Sequence, residues 1–482
     1  MKPDHVFERH SEWAGLTAFA SRPSPHAMLG IVRGRRRMGK TYLLRALVEQ
    51  CGGFYFGATE ATAGESLRQL GAALAAYAGS DVPFTFATWD DAVSYLFGLA
   101  APERGDGPLL VVVDEFPYLS KAVPELPSLI QREVDRLQTE PSGMRLLLCG
   151  SAMSVMGGLL ASNAPLRGRA QLEMLVRPFG YRAAAEFWGV ARDPALAARV
   201  HAVVGGTPAY RRQFLADDVP GSLADFDDWI CRTVLSPFSP LFREARYLLA
   251  EEADIRDAAL YHSVLAAVAQ GNATRGGIAT YIGRKSVDIS HPLNVLEDSH
   301  LLARDEDVFR AGKSQYRITE PLINFYEAVM RPSWARLESG QAVQVWAQSA
   351  ERFAAQVAGP HFEAVCREYV LGRGDSLGRV GSGVLTDPVA RRQIEIDVAV
   401  VEQGTGGHRP SVGMLGEAKW GTVMGLPHLE RLDRARELLA SKGMDTGRCV
   451  LACFSAAGFS ESLRAVAARG DVLLVGLDDL YG

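Results

Sequence analysis

GRRRMGKT, residues 34–41, is the stretch that decides the fold of the first half of this 482-residue chain. It follows the apolar run MLGIV and precedes the amphipathic run TYLLRAL, which predict a strand and a helix. Glycines let backbone N–H groups wrap around an anion, and the helix N-terminus adds its positive dipole end. The pattern GxxxxGK[ST] in this setting predicts a phosphate-binding loop rather than a basic turn that only aids solubility. The residues expected to contact a nucleotide here are Gly34, Arg35, Arg36, Arg37, Met38, Gly39, Lys40, Thr41 and Tyr42.

Acidic and hydroxyl side chains complete this predicted site. Lys40 is expected to reach the β- and γ-phosphates, and the Thr41 hydroxyl to ligate Mg²⁺. The apolar run LLVVV ends in Asp114, expected to hold Mg²⁺ with Thr41, and in Glu115, expected to polarise the attacking water. Acidic residues at the end of a strand sometimes only face solvent. Here they accompany a phosphate-binding loop, which favours a functional role for them. The run RLLLCGS ends in Ser151, a candidate sensor of the γ-phosphate. Together these residues predict ATP and Mg²⁺ as the cofactors.

The alternation of elements along the chain predicts an α/β protein of several parts. Apolar strands separated by helices in residues 1–180 predict a parallel sheet of the P-loop NTPase type. Helical patterns dominate residues 181–250, which we interpret as a helical lid. Three helices and a hairpin in residues 251–335 predict a winged helix-turn-helix. Residues 342–482 form a further α/β domain.

A family resemblance extends this interpretation. The motifs GRRRMGKT, VVVDEFPYL, LLLCGSAMSVM, PLRGR, RPFGY and GGTPAY follow one another as in archaeal-type P-loop ATPases, relatives of AAA+ and STAND ATPases. The resemblance implies that the segment FERHSEWAGL helps to hold the adenine and that Pro208 lies near the base. It also makes Arg169 of PLRGR the candidate for transition-state charge, in cis or on a neighbouring molecule. The alternative for Arg169 is a salt-bridged surface arginine.

The C-terminal domain brings a second candidate site. IEIDVAVV and LGEAKW predict two strands that carry Asp397, Glu417 and Lys419, and antiparallel pairing would bring Asp397 close to Glu417. Two carboxylates and a lysine are what Mg²⁺-dependent phosphodiester cleavage needs. The pattern resembles the PD-(D/E)xK core of restriction-endonuclease-like domains, with Glu363 as an additional metal ligand, and archaeal-type ATPases with such a tail carry it too. The plainer alternative is an edge strand whose charged residues face water.

The predicted winged helix is not rich in arginine on its third helix, so direct readout of DNA bases is not indicated. Arg275, Arg284, Lys285 and Lys313 are its candidates for phosphate contacts. The alternative is a rigid spacer between the ATPase and the C-terminal domain.

Composition narrows the class of protein. Hydrophobic residues make up 48% and charged residues 22%, which argues against wholesale disorder, and the net charge of −5 argues against a uniformly basic nucleic-acid coat. No apolar run approaches a membrane span, no signal peptide is evident, and six scattered cysteines argue against a disulfide framework. We therefore expect a cytoplasmic protein without a membrane partner.

Two functions are compatible with these patterns. The first is an ATP-hydrolysing protein that acts on DNA through a nucleotide-controlled, Mg²⁺-dependent nuclease-like tail. The second is a regulatory switch ATPase whose tail binds DNA or protein without cutting. A ring-forming motor is a further alternative, and the sequence leaves a homo-oligomer open.

Overall fold

The structure is a computed structural model that describes residues 1–101, 107–161, 163–250, 257–374, 378–404 and 409–482. It divides into two compact units. The first comprises Met1–Pro178 with Ala250, and the second comprises Phe179–Leu249 with Asp257–Gly482. The segment 181–250, predicted as the lid of the ATPase, therefore groups mainly with the C-terminal part of the chain.

The first unit is a parallel sheet between two helical layers. Its strands are β1 Met28–Arg33, β2 Gly53–Gly57, β3 Leu109–Asp114, β4 Met144–Gly150 and β5 Ala170–Leu175, in the order β2-β3-β4-β1-β5. Its helices are α1 His10–Ser21, α2 Lys40–Cys51, α3 Ala63–Tyr77, α4 Trp89–Gly98, α5 Phe116–Ala122, α6 Leu126–Arg136 and α7 Met153–Gly158. All the paired strands run parallel.

Both faces of this sheet are buried, as the near-continuous apolar strands require. On β3, Val111 and Val113 pack into one core, while Leu110 and Val112 pack into the core on the opposite face. Because β1, β4 and β3 are neighbours, the chain segments that follow them emerge at one edge of the sheet. The loop that carries Lys40 belongs to this edge.

The second unit begins with helices and ends with a mixed sheet. Its helices are α8 Tyr181–Trp188, α9 Pro194–Val204, α10 Phe226–Arg232, α11 Leu241–Ala250, α12 Ala258–Ala269, α13 Arg275–Tyr281, α14 Ser290–Asp298, α15 Pro321–Phe325, α16 Trp334–Glu338, α17 Ala342–Gln348, α18 Ala350–Arg352, α19 Gly359–Gly372, α20 Leu426–Ser441, α21 Glu461–Ala467 and α22 Leu477–Tyr481. Its strands are β6 Leu302–Glu306, β7 Ser314–Ile318, β8 Arg379–Asp387, β9 Arg392–Glu402, β10 Ser411–Lys419, β11 Val450–Ser455 and β12 Leu473–Val475.

The sheet of the second unit has the order β12-β11-β10-β9-β8. β9 pairs antiparallel with β8 and with β10, whereas β10, β11 and β12 run parallel. Helix α19 contributes Phe362 and Cys366 to the core on one face of the sheet, and α20 contributes Leu432 and Leu438 to the core on the other. The sheet is thus covered by a helix on each face, one that precedes it and one inserted between β10 and β11.

Helices α12, α13 and α14 are followed by the antiparallel hairpin of β6 and β7. This is the order of elements that the sequence predicted for residues 251–335, of which 251–256 lie outside the described residues. No helix within the described ranges is both long and apolar enough to cross a membrane.

Candidate functional site

The loop between β1 and α2 encloses the side chain of Lys40. Gly39 has φ of 83°, a conformation that favours glycine, and it turns the chain into α2. The Lys40 ammonium donates to the carbonyl oxygens of Gly34, at 2.6 Å, and Arg35, at 2.9 Å. Lys40 is only 5% exposed, and burial lowers its pKa. The loop therefore holds a cation in a low-dielectric setting, where an anion that displaces the two carbonyls gains a strong partner.

Asp114 connects the end of β3 to this loop. Its Oδ2 accepts hydrogen bonds from the Thr41 hydroxyl at 2.7 Å and from the Tyr55 hydroxyl at 2.8 Å, while Oδ1 accepts from the Glu115 amide at 2.9 Å. Asp114 is buried. The structure therefore brings Thr41 and Asp114 together, and two oxygen donors of this kind suit a hard cation such as Mg²⁺.

Glu115 lies beside Ser151 at the same edge of the sheet. The Ser151 hydroxyl donates to Glu115 Oε2 at 2.9 Å, and Arg36 Nε lies 3.4 Å from the same hydroxyl. Arg36 also donates to the Tyr118 hydroxyl at 2.6 Å. Glu115 adopts the left-handed backbone conformation with φ of 53°, which is uncommon for a residue other than glycine. One loop residue, one strand-end serine and one acid thus form a single polar network.

Tyr55 is a member of this site that the sequence analysis missed. It lies on β2 opposite Val112 of β3, and the Arg45 guanidinium lies 4.8 Å from the centre of its ring. Burial and the neighbouring Asp114 carboxylate raise the pKa of the Tyr55 hydroxyl to about 12, so it stays a donor at neutral pH. The signal in the sequence was the alternation FYFG, which turns Tyr55 away from the face occupied by Phe54 and Phe56.

The N-terminal segment also touches the loop. Arg9 donates to the carbonyl oxygen of Met38 at 3.0 Å and pairs with Glu12 at 2.8 Å. Tyr42 donates to the carbonyl oxygen of His5 at 3.2 Å, and their rings meet edge to face at 5.7 Å. The contribution of this segment to adenine binding stays a prediction. The hydrogen bond from Arg9 to Met38 connects the segment physically to the loop.

Arg169 forms a bidentate salt bridge with Asp135: its Nε donates to Oδ1 at 2.6 Å and its Nη2 donates to Oδ2 at 2.8 Å. This is the geometry of the salt-bridged surface arginine that the sequence analysis kept as the alternative. A role in transition-state stabilisation would require Arg169 to exchange this partner for a phosphate. Pro208 belongs to the second unit, and its assignment to the base stays a prediction.

The second candidate site lies across β9 and β10. These strands pair antiparallel with Gly416 opposite Val398, and one further step of that register sets Glu417 opposite Asp397. The Lys419 ammonium lies 3.1 Å from Glu417 Oε1 and 3.6 Å from Asp397 Oδ2. Two carboxylates and a lysine therefore converge here. The chain between the strands includes residues 405–408, which lie outside the described residues.

A β-bulge aims Asp397 at this point. Gly381 of β8 pairs with Ala399 while Gly383 pairs with Ile396, so β9 carries an extra residue beside Asp397. As a result Ile396 and Val398 pack into cores on opposite faces of the sheet. Asp397 Oδ2 accepts a hydrogen bond from the Ala418 amide at 2.9 Å. Bulges re-aim single side chains and are common next to active sites.

The acidic side chains of this site differ in their charged partners and in the shifts of their pKa values. Glu417 is 1% exposed; its Oε1 pairs with Lys419 and with Arg431 at 3.2 Å, whereas its Oε2 is buried and has no hydrogen-bond partner among the described residues. Burial raises the pKa of Asp397, and burial together with the Asp397 charge raises the pKa of Glu363 on α19 to about 7. Burial opposes the charge on Lys419, but the two carboxylates raise its pKa overall. Within the described part of the chain, no group of three or more His, Cys, Asp or Glu side chains is arranged to hold a metal ion.

The loop of the β6–β7 hairpin packs on strand β8. The Val308 amide donates to the carbonyl oxygen of Ser382 at 3.0 Å, and the Val384 amide donates to Asp307 Oδ2 at 3.1 Å. A side chain at Gly383 would come within 2.5 Å of the Phe309 ring, so the glycine makes room for the loop. This contact agrees with the spacer interpretation of residues 251–335.

The four cations predicted to meet DNA phosphates are spread over this region. Arg275 donates to the carbonyl oxygen of Ser286 at 2.9 Å and to the Ser290 hydroxyl. Arg284, Lys285 and Lys313 have exposed side chains. The structure therefore leaves the last three accessible and ties Arg275 into the fold.

Comparisons with known proteins support the fold of the ATPase core. No family model matches the chain. An uncharacterized protein of Methanocaldococcus jannaschii is 28% identical over 314 residues, which are 64% of this chain and 66%, just under two thirds, of that relative. The ORC2 protein of Aeropyrum pernix covers 73% of this chain and 96% of its own at 14% identity, but its TM-score of 0.39 is too low to carry an argument. The Walker-type ATPase of Pyrococcus abyssi matches 68% of this chain and 97% of its own length at 20% identity and a TM-score of 0.50, and the chain therefore shares the P-loop fold of that ATPase.

Proposed function

We propose that the first unit binds and hydrolyses ATP with Mg²⁺. The carrying observation is the set of Lys40, Thr41, Asp114 and Glu115 at one sheet edge, with the Thr41 hydroxyl 2.7 Å from Asp114 Oδ2. These hydroxyl and carboxylate oxygens fit Mg²⁺, which would neutralise phosphate charge when bound. Lys40 would leave its two carbonyl partners for the phosphates. Glu115, oriented by the Ser151 hydroxyl, would accept a proton from the attacking water.

We propose further that the second unit acts on DNA through a metal-dependent nuclease-like site. Support comes from Asp397 and Glu417 on adjacent strands with Lys419 between them. Glu417 Oε2 is a buried carboxylate oxygen that no described residue hydrogen-bonds, and such an oxygen is costly to bury unless a cation or donor reaches it. The acids would hold a divalent cation, whose chemistry is to activate water, and Lys419 would stabilise charge on the phosphate.

Nucleotide state is the proposed control of this site. The chain carries an ATPase-type site and a carboxylate–lysine site in separate units, so ATP binding to one has to act on the other through movement of the chain. DNA is the proposed partner, and exposed Arg284, Lys285 and Lys313 are the proposed phosphate contacts. Oligomer formation stays a proposal of the same kind.

A second candidate function has an observation of its own. Glu417 Oε1 is already paired with two cations, Lys419 and Arg431, which compete with a metal ion for the carboxylate. A tail with such internal ion pairs suits a module that binds DNA or protein without cutting. The protein would then be a regulatory ATPase that changes conformation with nucleotide.

One experiment separates these functions. Purified protein is incubated with supercoiled DNA and Mg²⁺ or Mn²⁺, with and without ATP, beside Asp397→Ala and Lys40→Ala. The nuclease proposal expects cleavage that Asp397→Ala abolishes and that Lys40→Ala makes insensitive to ATP. Cleavage that survives Asp397→Ala would refute the nuclease site. Absence of cleavage with every metal, together with ATP-dependent DNA binding, would favour the switch.

A further inference from the structure

A cavity of about 410 Å³ lies in the second unit, lined by residues of α9, α10, α17 and α18, of the helical segment 353–358 and by Trp420, which follows β10. Small-molecule sites typically enclose about 300–1,000 Å³. The residues that line it include none of the carboxylates of β9 and β10 and none of the phosphate-binding loop. Its polar side chains are Arg199, Asp227 and Asp228, and its aromatic ones are Trp346, Phe353 and Trp420.

The aromatic wall of this cavity is held in place by its own contacts. The Trp346 indole N–H donates to Asp227 Oδ1 at 2.8 Å, and the Trp346 and Phe353 rings meet edge to face at 5.2 Å. Trp420 meets Phe362 edge to face at 5.9 Å. Trp346 and Phe353 are largely buried, so little side-chain entropy remains to be lost when a ligand binds them.

The charges of the cavity favour a cation. Two carboxylates line it against a single guanidinium, and that guanidinium of Arg199 already lies 5.9 Å from the centre of the Phe226 ring. Aromatic faces attract cations, and a carboxylate adds a charge-assisted hydrogen bond to an amidinium, guanidinium or ammonium group.

The cavity lacks an evident nucleophile for covalent chemistry among its described lining residues. Cys231 is the thiol in the lining, and burial together with Asp227 and Asp228 raises its pKa to about 11. The thiol is therefore protonated at neutral pH and is a poor nucleophile. The arrangement suits reversible binding.

We propose that this cavity binds a small organic cation that carries an amidinium, guanidinium or ammonium group on a planar or short apolar body. The cationic group faces Asp227 and Asp228, and the body packs against Trp346, Phe353 and Trp420. Because Trp420 directly follows Lys419, a ligand in the cavity lies next to the chain segment that carries the carboxylate–lysine site.

The test compares two probes of the same shape, benzamidine and benzamide, by titration calorimetry with the full chain. We expect benzamidine to bind at least about tenfold more tightly than the neutral amide. Equal affinities for the two probes, or no binding of benzamidine, would overturn the proposal.

Variants locate the site. Asp227→Asn keeps an acceptor for the Trp346 N–H, and together with Asp228→Asn it should weaken benzamidine binding by about tenfold or more. Asp471→Asn, the same change at an exposed carboxylate that does not line the cavity, is the matched control and should leave the affinity unchanged. Unchanged affinity in the double variant would overturn the proposal.

Tryptophan fluorescence gives a second measurement that does not depend on the acidic variants. Benzamidine should change the emission of the wild-type protein, and Trp346→Phe and Trp420→Phe should each reduce that change. A change that both variants retain in full would overturn the proposed location.

Discussion

Replacement of Tyr55 by phenylalanine removes one of the two hydroxyl groups that donate to Asp114 and leaves the ring in place. The lost contact is the 2.8 Å hydrogen bond from the Tyr55 hydroxyl to Asp114 Oδ2. A hydrogen bond to an ionised group contributes about 1.5–3 kcal/mol. Asp114 keeps the Thr41 hydroxyl and the Glu115 amide, so we expect the lower end, about 1.5 kcal/mol. If that energy orients Asp114 in the transition state, kcat for ATP falls about tenfold.

The assay is steady-state phosphate release with Mg²⁺ and ATP, analysed for kcat and KM separately, together with nucleotide binding measured directly. Tyr55 acts through Asp114, so kcat should fall while the Kd for nucleotide changes little. Tyr281→Phe is the matched control, because Tyr281 on α13 is half exposed and lies in the second unit. A Tyr55→Phe protein whose kcat stays within about twofold of wild type would refute the positioning role.

Three further predictions concern the second unit. Raising the pH from the ordinary carboxyl pKa to about 7 should lower the free energy of unfolding of the wild-type protein, because the native state holds a proton on Glu363 that the unfolded chain has lost. In urea unfolding measured across this pH range, Glu363→Gln should lack this loss of stability. Mn²⁺ at about a hundred times its Kd should raise the free energy of unfolding by about 2.7 kcal/mol, and Glu417→Gln should remove this stabilisation. Stabilisation that persists in Glu417→Gln would show that the metal binds at a different site. Gly383→Val should lower the melting temperature by displacing Phe309. Gly421→Val is the matched control, because Gly421 is exposed, has no positive φ, and its added side chain would meet no described atom; equal stability of both variants would contradict the packing of the hairpin loop on β8.

The phosphate-binding loop was predictable because its chemistry is local. The run from Gly34 to Thr41 supplies the turn, the cation and the hydroxyl within eight residues, and its glycines allow the positive φ angles that so tight a turn requires. Asp114 was predictable for a similar reason, since it ends an apolar strand of a parallel sheet. The approach of Asp397 to Glu417 followed from one assumption, the antiparallel pairing of two adjacent strands, which the structure contains.

Other members of the sites depend on contacts between distant parts of the chain. Tyr55 reaches Asp114 only because β2 lies beside β3, a sheet order that no local pattern encodes. Arg169 pairs with Asp135, which lies 34 residues earlier in the chain, and this contact gives its guanidinium an ion-pair partner. The cavity near Trp346 gathers side chains from α9, α10, α17, α18, the segment 353–358 and Trp420, and no sequence motif links these contributors.

The sequence by itself determined the candidate residues of the two sites, because glycine, lysine and carboxylate spacing within a strand–loop–helix or a strand pair is set by backbone geometry. Only the tertiary structure decided how those residues are held. The bulge in β9 sets the direction of Asp397, and hydrogen bonds to β8 fix the position of the hairpin loop. The physical reason is that these features depend on long-range register and close packing, whose energies belong to pairs of segments rather than to either segment alone.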